Sequence, residues 1–107
     1  MKTAVLVDDL FFSSKISATA KQAGAQVVFC RSADEVPSDA NRICVDLNAT
    51  TFNPIEEIRK VRTTLTVPIV AYLSHVQVEL KKQAEEAGAT EVMPRSAFVQ
   101  RLAALLA

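Results

Sequence analysis

The sequence has few of the residues on which several common binding sites depend. Its 107 residues include two glycines, two cysteines, one histidine, one tyrosine and no tryptophan. Gly24 and Gly88 both lie where a helix would stop, so no glycine-rich loop remains to hold the phosphates of a nucleotide. Cys30 and Cys44 lack the spacing of metal ligands and lie in apolar segments, as is typical of free buried thiols. A nucleotide site, a zinc site and a structural disulfide are therefore not expected.

The sequence also lacks an excess of either charge. Twelve basic and twelve acidic side chains give a formal net charge of zero, so no electrostatic footprint for nucleic acid or an anionic membrane is present. No apolar run approaches the roughly 20 residues that span a bilayer, and residues 1–3 lead directly into a strand rather than a signal peptide. We therefore expect one cytoplasmic domain over residues 1–107 that binds neither nucleic acid nor membrane.

Two apolar runs of the sequence end in aspartate. Ala4–Val7 is followed by Asp8 and Asp9, and Ile43–Val45 is followed by Asp46. Such runs are typical of buried parallel strands, whose carboxyl ends meet at one edge of a sheet. Three carboxylates gathered there would repel one another and raise their pKa values unless a hard cation, Mg²⁺ above all, neutralised them. Acids also end strands simply because strands end in solvent, and Asp9 is alternatively a cap for the first helix.

The apolar pattern alternates between strands and helices along the whole chain. Strands are predicted over Ala4–Val7, Ala25–Cys30, Ile43–Leu47, Val67–Tyr72 and Thr90–Met93. Helical spacing relates Phe12, Ile16, Ala20 and Ala23; Ile55, Ile58, Val61 and Leu65; Val76, Leu80, Ala84 and Ala87; and Phe98, Leu102 and Leu105. Strand–helix repeats with right-handed crossovers predict an α/β fold in which helices cover both faces of a parallel sheet.

Several residues mark the ends of the predicted helices. Pro54 is placed to open one helix, and Ser74 and Ser96 are placed to cap the two that follow. Pro37 leaves room for only a shortened second helix between the second and third strands. The helix boundaries are thus predicted from local signals at each end.

Three segments of the sequence resemble those of response-regulator receiver domains. Val5-Leu6-Val7-Asp8-Asp9 resembles the acid-pair strand of these domains, Ile43-Cys44-Val45-Asp46-Leu47-Asn48 resembles their phosphoacceptor strand, and Ala87-Gly88-Ala89 is similar to the segment before their fifth strand. The resemblance covers nearly the whole chain. It implies a flavodoxin-like, three-layer, doubly wound fold with five parallel strands in the order 2-1-3-4-5.

The resemblance also implies a role for each acid. Asp46 would accept a phosphoryl group as an aspartyl phosphate, while Asp8 and Asp9 would hold Mg²⁺ together with Asp46 and the backbone carbonyl of Asn48. The phosphoryl group would come from a histidine kinase or phosphotransfer protein. The signal would pass to a downstream protein through the face formed by the fourth helix, fifth strand and fifth helix, and a homodimer is a further expectation. The chain would be a signalling module of a two-component system and not an enzyme.

The sequence departs from the receiver pattern at the end of the fourth strand. Receivers place there a Thr or Ser whose hydroxyl contacts the phosphate, but this position falls on Leu73, which cannot form the bond. Ser74, one residue further, and Tyr72, one residue earlier, are the neighbouring candidates for a switch role. His75 is either a solvated residue of the first helical turn or a pH-sensitive group near the acids.

A second departure follows the fifth strand. Receivers carry a lysine there, and its place falls on Met93 if Pro94 is aligned with the usual proline, or on Arg95 if Phe98 sets the register. Arg95 is a credible phosphate partner because its planar guanidinium can donate two hydrogen bonds to one anion. The usual glycine of the phosphoacceptor loop is replaced by residues 51–53. These departures favour a second hypothesis, a pseudo-receiver that acts as a phosphorylation-independent protein-interaction module.

Overall fold

Five parallel strands form one sheet in the order β2-β1-β3-β4-β5 in the computed structural model, which describes residues 1–74 and 77–107. The strands are β1 (Lys2–Leu6), β2 (Gln26–Cys30), β3 (Arg42–Asp46), β4 (Ile69–Leu73) and β5 (Glu91–Pro94). The helices are α1 (Leu10–Ala23), α2 (Pro54–Arg62), α3 (Val78–Ala87) and α4 (Arg95–Leu106). The flavodoxin-like topology and strand order predicted from the sequence are confirmed.

The sheet separates two apolar cores. Helices α1 and α4 cover one face and helices α2 and α3 cover the other. Side chains alternate between the faces along each strand, so Val45 points toward the α2 and α3 side whereas Cys44 points toward the α1 and α4 side. The same alternation directs Leu73 to the core on the α2 and α3 side and Tyr72 to the core on the α1 and α4 side. The end of β4 therefore turns its last two side chains in opposite directions.

The second crossover contains only a short 3₁₀-helix, Ala33–Glu35. The backbone N–H of Ala33 donates a 2.8 Å hydrogen bond to Oε1 of Glu57, a buried carboxylate of α2. This bond ties the crossover to α2 without a full helix of its own. The expectation of a shortened second helix is confirmed.

The predicted glycine stops and the helix start at Pro54 are also confirmed. Gly24 and Gly88 end α1 and α3 with positive φ angles of 66° and 126°, a region that residues with a Cβ rarely adopt. At Gly88 a Cβ would lie 2.9 Å from Cγ of Arg62, whose guanidinium donates to the Gly88 carbonyl. Pro54 is the first residue of α2, after Asn53 as N-cap.

Three predictions about helices are wrong. Ser74 does not cap α3, because that helix begins only at Val78 with Gln77 in the N-cap position. Ser96 does not cap α4, because β5 runs directly into that helix through Pro94 and leaves no loop for a capping serine. Ala23, predicted on the apolar face of α1, is exposed at the last turn of the helix. The predictions for His75 and Val76 lie outside the described residues.

Neither cysteine is paired. Cys30 and Cys44 are free and buried, and burial raises the pKa of the first thiol to about 11 and that of the second to about 12. Both thiols therefore stay protonated and unreactive at neutral pH. Within the part of the chain that the structure describes, no helix is long and apolar enough to cross a membrane.

Candidate functional site

The three aspartates singled out in the sequence lie at one edge of the sheet. Strands β1 and β3 pair in parallel and are neighbours in the sheet, so Asp8 and Asp9 follow one strand where Asp46 ends the next. The negative charges of Asp8 and Asp9 both act on the Asp46 carboxyl. The adjacency predicted from the two apolar runs is therefore present in the structure.

Asp8 binds the loop that follows β3. Its Oδ2 atom accepts hydrogen bonds from the backbone N–H groups of Thr50 and Thr51, each at 2.9 Å, and from the Thr51 hydroxyl at 3.0 Å. The bond from the Thr51 N–H is the main cause of a lowered Asp8 pKa. Asp8 therefore stays ionised and ties the loop to the end of β1.

Asp9 caps the first helix and contacts an arginine from the last one. Its Oδ1 accepts from the N–H groups of Phe11 and Phe12 at 2.9 and 3.1 Å, and its Oδ2 lies 3.4 Å from a terminal nitrogen of Arg95. The Phe12 N–H bond is the main cause of a lowered Asp9 pKa, and Arg95 lowers it further. The alternative of a helix cap for Asp9 is confirmed, and the same residue carries the ion pair.

Arg95, not Met93, supplies the cation of the site. Its guanidinium carbon lies 4.1 Å from the centroid of the Phe12 ring, a cation–π geometry, while one nitrogen reaches Asp9. Met93 faces the apolar core, where it is 5% exposed. Of the two residues that the sequence left open for the lysine position, Arg95 therefore contacts an acid of the site, whereas Met93 is buried in the core.

Asp46 is the most buried of the three acids. The residue is 8% exposed, and its Oδ1 accepts a hydrogen bond from the N–H of Asn48 at 2.8 Å. No residue that the structure describes donates to Oδ2. Burial is the main cause of a raised Asp46 pKa, to which Asp8 and Asp9 add, while the Asn48 bond and Arg95 oppose it.

The expectation that mutual repulsion raises the pKa values of all three acids is therefore wrong for two of them. Asp8 and Asp9 are partly exposed, and local hydrogen-bond donors stabilise their charged forms by more than burial destabilises them. Asp46 has one donor and is more buried, so desolvation dominates. The site holds two firmly ionised carboxylates beside one whose charge is poorly compensated.

Asn48 connects the Asp46 loop to the loop that follows β4. Its side-chain Oδ1 accepts from the backbone N–H of Ser74 at 2.7 Å, and its Nδ2 donates to Oε1 of Gln77 at 2.9 Å. Both partners precede α3. A change at Asp46 can therefore reach α3 through a single side chain, without a contact from Leu73.

Leu73 contributes no polar atom to the site. It is 4% exposed, it lies opposite Pro94 in the β4–β5 register, and it packs into the core on the α2 and α3 side. Together with Val78, Met93 and Pro94 it lines a cleft of about 220 Å³ between α3 and β5. The C-terminal ends of β4 and β5 therefore border a mainly apolar cleft.

Tyr72 lies on the same face of the sheet as Asp46, to which it is the register partner in the β3–β4 pair. Its ring stacks on Phe98 with centroids 4.2 Å apart and an interplanar angle of 21°, and it packs at 5.1 Å against Phe12. The residue is 1% exposed, and its hydroxyl has no hydrogen-bond partner among the described residues. Burial raises the Tyr72 pKa far above its ordinary value, and the Asp46 charge raises it further.

The sequence did not predict the residues that donate hydrogen bonds to Asp8 or the rings that pack against Arg95 and Tyr72. Thr51 was predicted only as part of the segment that replaces a loop glycine, Thr50 had no predicted role, and Phe12 and Phe98 were predicted only as apolar helix positions. Two of the three donors to Asp8 are backbone N–H groups, for which residue type gives no signal. No local signal indicated that Arg95 would lie over Phe12.

The ligand atoms available at this edge of the sheet are of the kind that a hard divalent cation prefers. Every available ligand atom is an oxygen, and neither Oδ1 of Asp8 nor Oδ2 of Asp46 accepts a hydrogen bond from another described residue. Asp9 differs, since backbone donors and Arg95 engage both of its oxygens. Among the described residues, no three His, Cys, Asp or Glu side chains are already arranged around one metal position. The oxygens therefore fit Mg²⁺, whereas Asp9 would have to exchange Arg95 for the ion.

The fold has close counterparts among solved structures, although no protein-family model and no curated protein matches the sequence. A response regulator protein from Burkholderia pseudomallei, solved with a phosphorylated aspartic acid, a calcium ion and citrate, gives a TM-score of 0.82 at 19% identity. The match covers 99% of this chain and 66% of that one, so this chain spans just under two thirds of that protein.

Two further structures are matched over nearly their whole length. The Vibrio cholerae chemotaxis protein CheY4 gives a TM-score of 0.81 at 20% identity, over 98% of this chain and 94% of that one. The BeF3-activated N-terminal receiver domain of Klebsiella pneumoniae RstA gives 0.79 at 18% identity, over 99% and 97%. The fold is therefore the CheY-like fold of response-regulator receiver domains. At these identities the likeness establishes the fold alone.

Proposed function

We propose that this chain is a receiver module of a two-component system in which Asp46 accepts a phosphoryl group. The observation that carries the proposal is the state of Asp46: a buried carboxylate at the strand edge with one oxygen held by Asn48 and the other without a donor from the described residues. The receiver fold, and its solved relatives with a phosphorylated aspartate or BeF3, support the same reading.

The residues of the chain prepare Asp46 for nucleophilic attack. The Asn48 N–H holds Oδ1, so Oδ2 is the atom that attacks phosphorus. With acetyl phosphate as donor, the new bond joins Oδ2 to phosphorus and the bond from phosphorus to the acetyl oxygen breaks, releasing acetate. Because few groups stabilise the negative charge of Asp46, this oxygen stays nucleophilic. The positive charge of Arg95 offsets part of the negative charge at Asp46.

A divalent cation completes the site in this proposal, with Mg²⁺ held by Asp8, Asp46 and the Asn48 carbonyl, and by Asp9 once it releases Arg95. When bound, the ion offsets the negative charge of the phosphoryl oxygens. A calcium ion accompanies the phosphorylated aspartate of the Burkholderia pseudomallei relative, so a divalent ion is present in that protein.

The signal leaves the site by the link from Asn48 to the loop before α3. Phosphorylation raises the negative charge at Asp46 from that of one carboxylate to about minus two on the aspartyl phosphate, which perturbs the Asn48 contacts with Ser74 and Gln77. These residues precede the α3–β5–α4 face and its apolar cleft. We assign the unidentified downstream protein to this face, and a histidine kinase or phosphotransfer protein to the acid edge.

The test is intact-mass analysis after incubation with acetyl phosphate. We expect one adduct of phosphate mass with Mg²⁺ and none with EDTA, because only the neutralised site can admit an anionic donor. Repeating the incubation with Ca²⁺ in place of Mg²⁺ separates two causes. An adduct with both ions indicates a need for divalent charge alone, whereas an adduct with Mg²⁺ only indicates a need for the smaller ion. No adduct at any Mg²⁺ concentration would overturn the proposal.

A pseudo-receiver is the second candidate, and two contacts favour it. The Asp9–Arg95 pair already neutralises part of the acid edge, and Leu73, together with Met93 in the register set by Pro94, lines an apolar cleft where receivers carry polar groups. In this reading the cleft binds a partner in a single, phosphate-independent state. Binding of that partner with equal affinity to wild type and Asp46→Asn would favour this candidate.

Exchanging Arg95 for glutamine should tighten Mg²⁺ binding. The change removes a cation that competes for Asp9, so we expect the dissociation constant to fall by about two- to fivefold, the scale of a partly exposed ion pair. Calorimetric titration with MgCl₂ measures it. Arg101→Gln is the matched control, because Arg101 pairs with Glu91 on the surface and should leave Mg²⁺ affinity unchanged. Unchanged or weaker binding in Arg95→Gln would show that Asp9 is not a ligand.

A further inference from the structure

The Tyr72 hydroxyl is an unusual atom in this protein. Among the described residues only two buried side-chain oxygens lack a hydrogen-bond partner, Oγ1 of Thr3 and the hydroxyl of Tyr72. Thr3 lies near the start of β1, whereas Tyr72 lies at the C-terminal end of β4, beside the acid edge. Buried hydroxyls are normally paired, so an unpaired one next to a reactive group indicates an acceptor that arrives later.

The position of Tyr72 is defined by the sheet and by two aromatic rings. In the β3–β4 register it is the direct partner of Asp46, and paired residues of parallel strands point to the same face of the sheet. Stacking on Phe98 and packing against Phe12 restrict the ring. The phenol is thus held on the same face of the sheet as the Asp46 side chain and in the neighbouring strand.

The charges around the hydroxyl agree with this placement. After burial itself, the Asp46 carboxylate is the strongest influence on the Tyr72 phenol, ahead of Cys44, Arg95 and Asp9. A phenol is protonated at neutral pH, and the raised pKa of Tyr72 acts in the same direction, so Tyr72 remains a hydrogen-bond donor. The Tyr72 hydroxyl therefore stays a donor while the group on Asp46 becomes more anionic, and its hydrogen bonding can respond to that change of charge.

We propose that the Tyr72 hydroxyl donates a hydrogen bond to the phosphoryl group carried by Asp46, and so performs from the α1 and α4 side the contact that Leu73 cannot make. The proposal rests on the proposed function of Asp46. Phosphoryl oxygens extend further from the backbone than the carboxylate and bear more charge, so the hydroxyl gains a strong acceptor. The aromatic stack with Phe12 and Phe98 then carries the displacement to α1 and α4.

The chain offers a direct spectroscopic test, because Tyr72 is its only tyrosine and it contains no tryptophan. Ultraviolet absorption and tyrosine fluorescence therefore report this residue alone. We expect beryllofluoride with Mg²⁺ to shift the tyrosine absorption to longer wavelength in the wild type, as a phenol does when it donates to an anion. Asp46→Asn under the same conditions is the blank and should show no shift.

Tyr72→Phe removes the hydroxyl and keeps the ring stack. We expect this variant to acquire the phosphate-mass adduct, since Asp46 is intact, but to lose the adduct about fivefold faster or more, because a charge-assisted hydrogen bond is missing. Thr3→Val, which removes the other unpaired buried hydroxyl of the described residues near the start of β1, is the control for a structural effect and should retain the wild-type adduct lifetime.

The outcomes separate this inference from the proposed function. An adduct with an unchanged tyrosine spectrum, or an equal adduct lifetime in Tyr72→Phe, would overturn the role of Tyr72 and leave Asp46 as the acceptor. Failure of the wild type to form any adduct would overturn both. A shift present in wild type and absent in Asp46→Asn, together with the shorter lifetime, would support the hydrogen bond.

Discussion

Asp46→Asn is expected to abolish the phosphate adduct completely and to make the protein more stable at neutral pH. Asparagine has nearly the same shape and its Oδ1 can still accept from the Asn48 N–H, so the loop is preserved. It has no anionic oxygen with which to attack phosphorus. It also has no charge to desolvate, and the charged form of Asp46 is disfavoured in the folded state by burial and by Asp8 and Asp9.

The pH dependence of that stability difference follows from the direction of the shift. A carboxyl whose pKa is raised on folding binds its proton more readily in the folded state, so its contribution falls as pH rises through the unfolded and then the folded pKa. The advantage of Asp46→Asn should therefore be largest at neutral pH and should vanish at acid pH, where Asp46 is protonated. Thermal unfolding in EDTA at a series of pH values measures it.

Asp39→Asn is the matched control for both readouts. Asp39 is exposed and forms an ion pair with Lys2 at 2.8 Å, far from the acid edge, and this pair lowers its pKa. The variant should be phosphorylated like the wild type, and its stability should change in the opposite direction, with a small loss at neutral pH. An adduct that persists in Asp46→Asn would show that another residue is the acceptor.

Phe98→Ala should cause the largest loss of stability that a single truncation of an aromatic produces here. Phe98 is fully buried, and its ring lies 4.2 Å from that of Tyr72 and 5.9 Å from that of Phe12. Truncating such a side chain costs about 3–5 kcal/mol, from lost burial and from the cavity that remains. Domains of this size are stable by roughly 5–15 kcal/mol, so this loss is a large fraction of the total free energy of unfolding.

Urea unfolding followed by circular dichroism measures that loss. Phe11→Ala is the matched control, because the same atoms are removed from a side chain that is 92% exposed in the first turn of α1. It should change the free energy of unfolding by no more than about 0.5 kcal/mol. Equal losses in the two variants would mean that the aromatic stack beneath the acid edge does not stabilise the fold.

Much of the fold could be predicted from local signals. The apolar runs ending in Asp8 and Asp46 identified two strands, the helical spacing of Phe12, Ile16 and Ala20 identified the buried face of α1, and Gly24 identified its end. These features are decided by residues within a turn or a strand of one another. Two predicted serine caps were wrong because a helix start depends on the path of the preceding strand and loop as well as on capping chemistry.

Less of the site could be predicted, because its chemistry depends on contacts between distant segments. The sequence by itself determined that three aspartates meet at one sheet edge and that Leu73 lacks a hydroxyl. Only the tertiary structure decided which cation meets them, since Arg95 and Asp9 are 86 residues apart and side-chain direction across elements leaves no local signal. It likewise decided that Asp8 and Asp9 have lowered pKa values while that of Asp46 is raised, because donor placement and burial, rather than residue type, set the free energy of each charge.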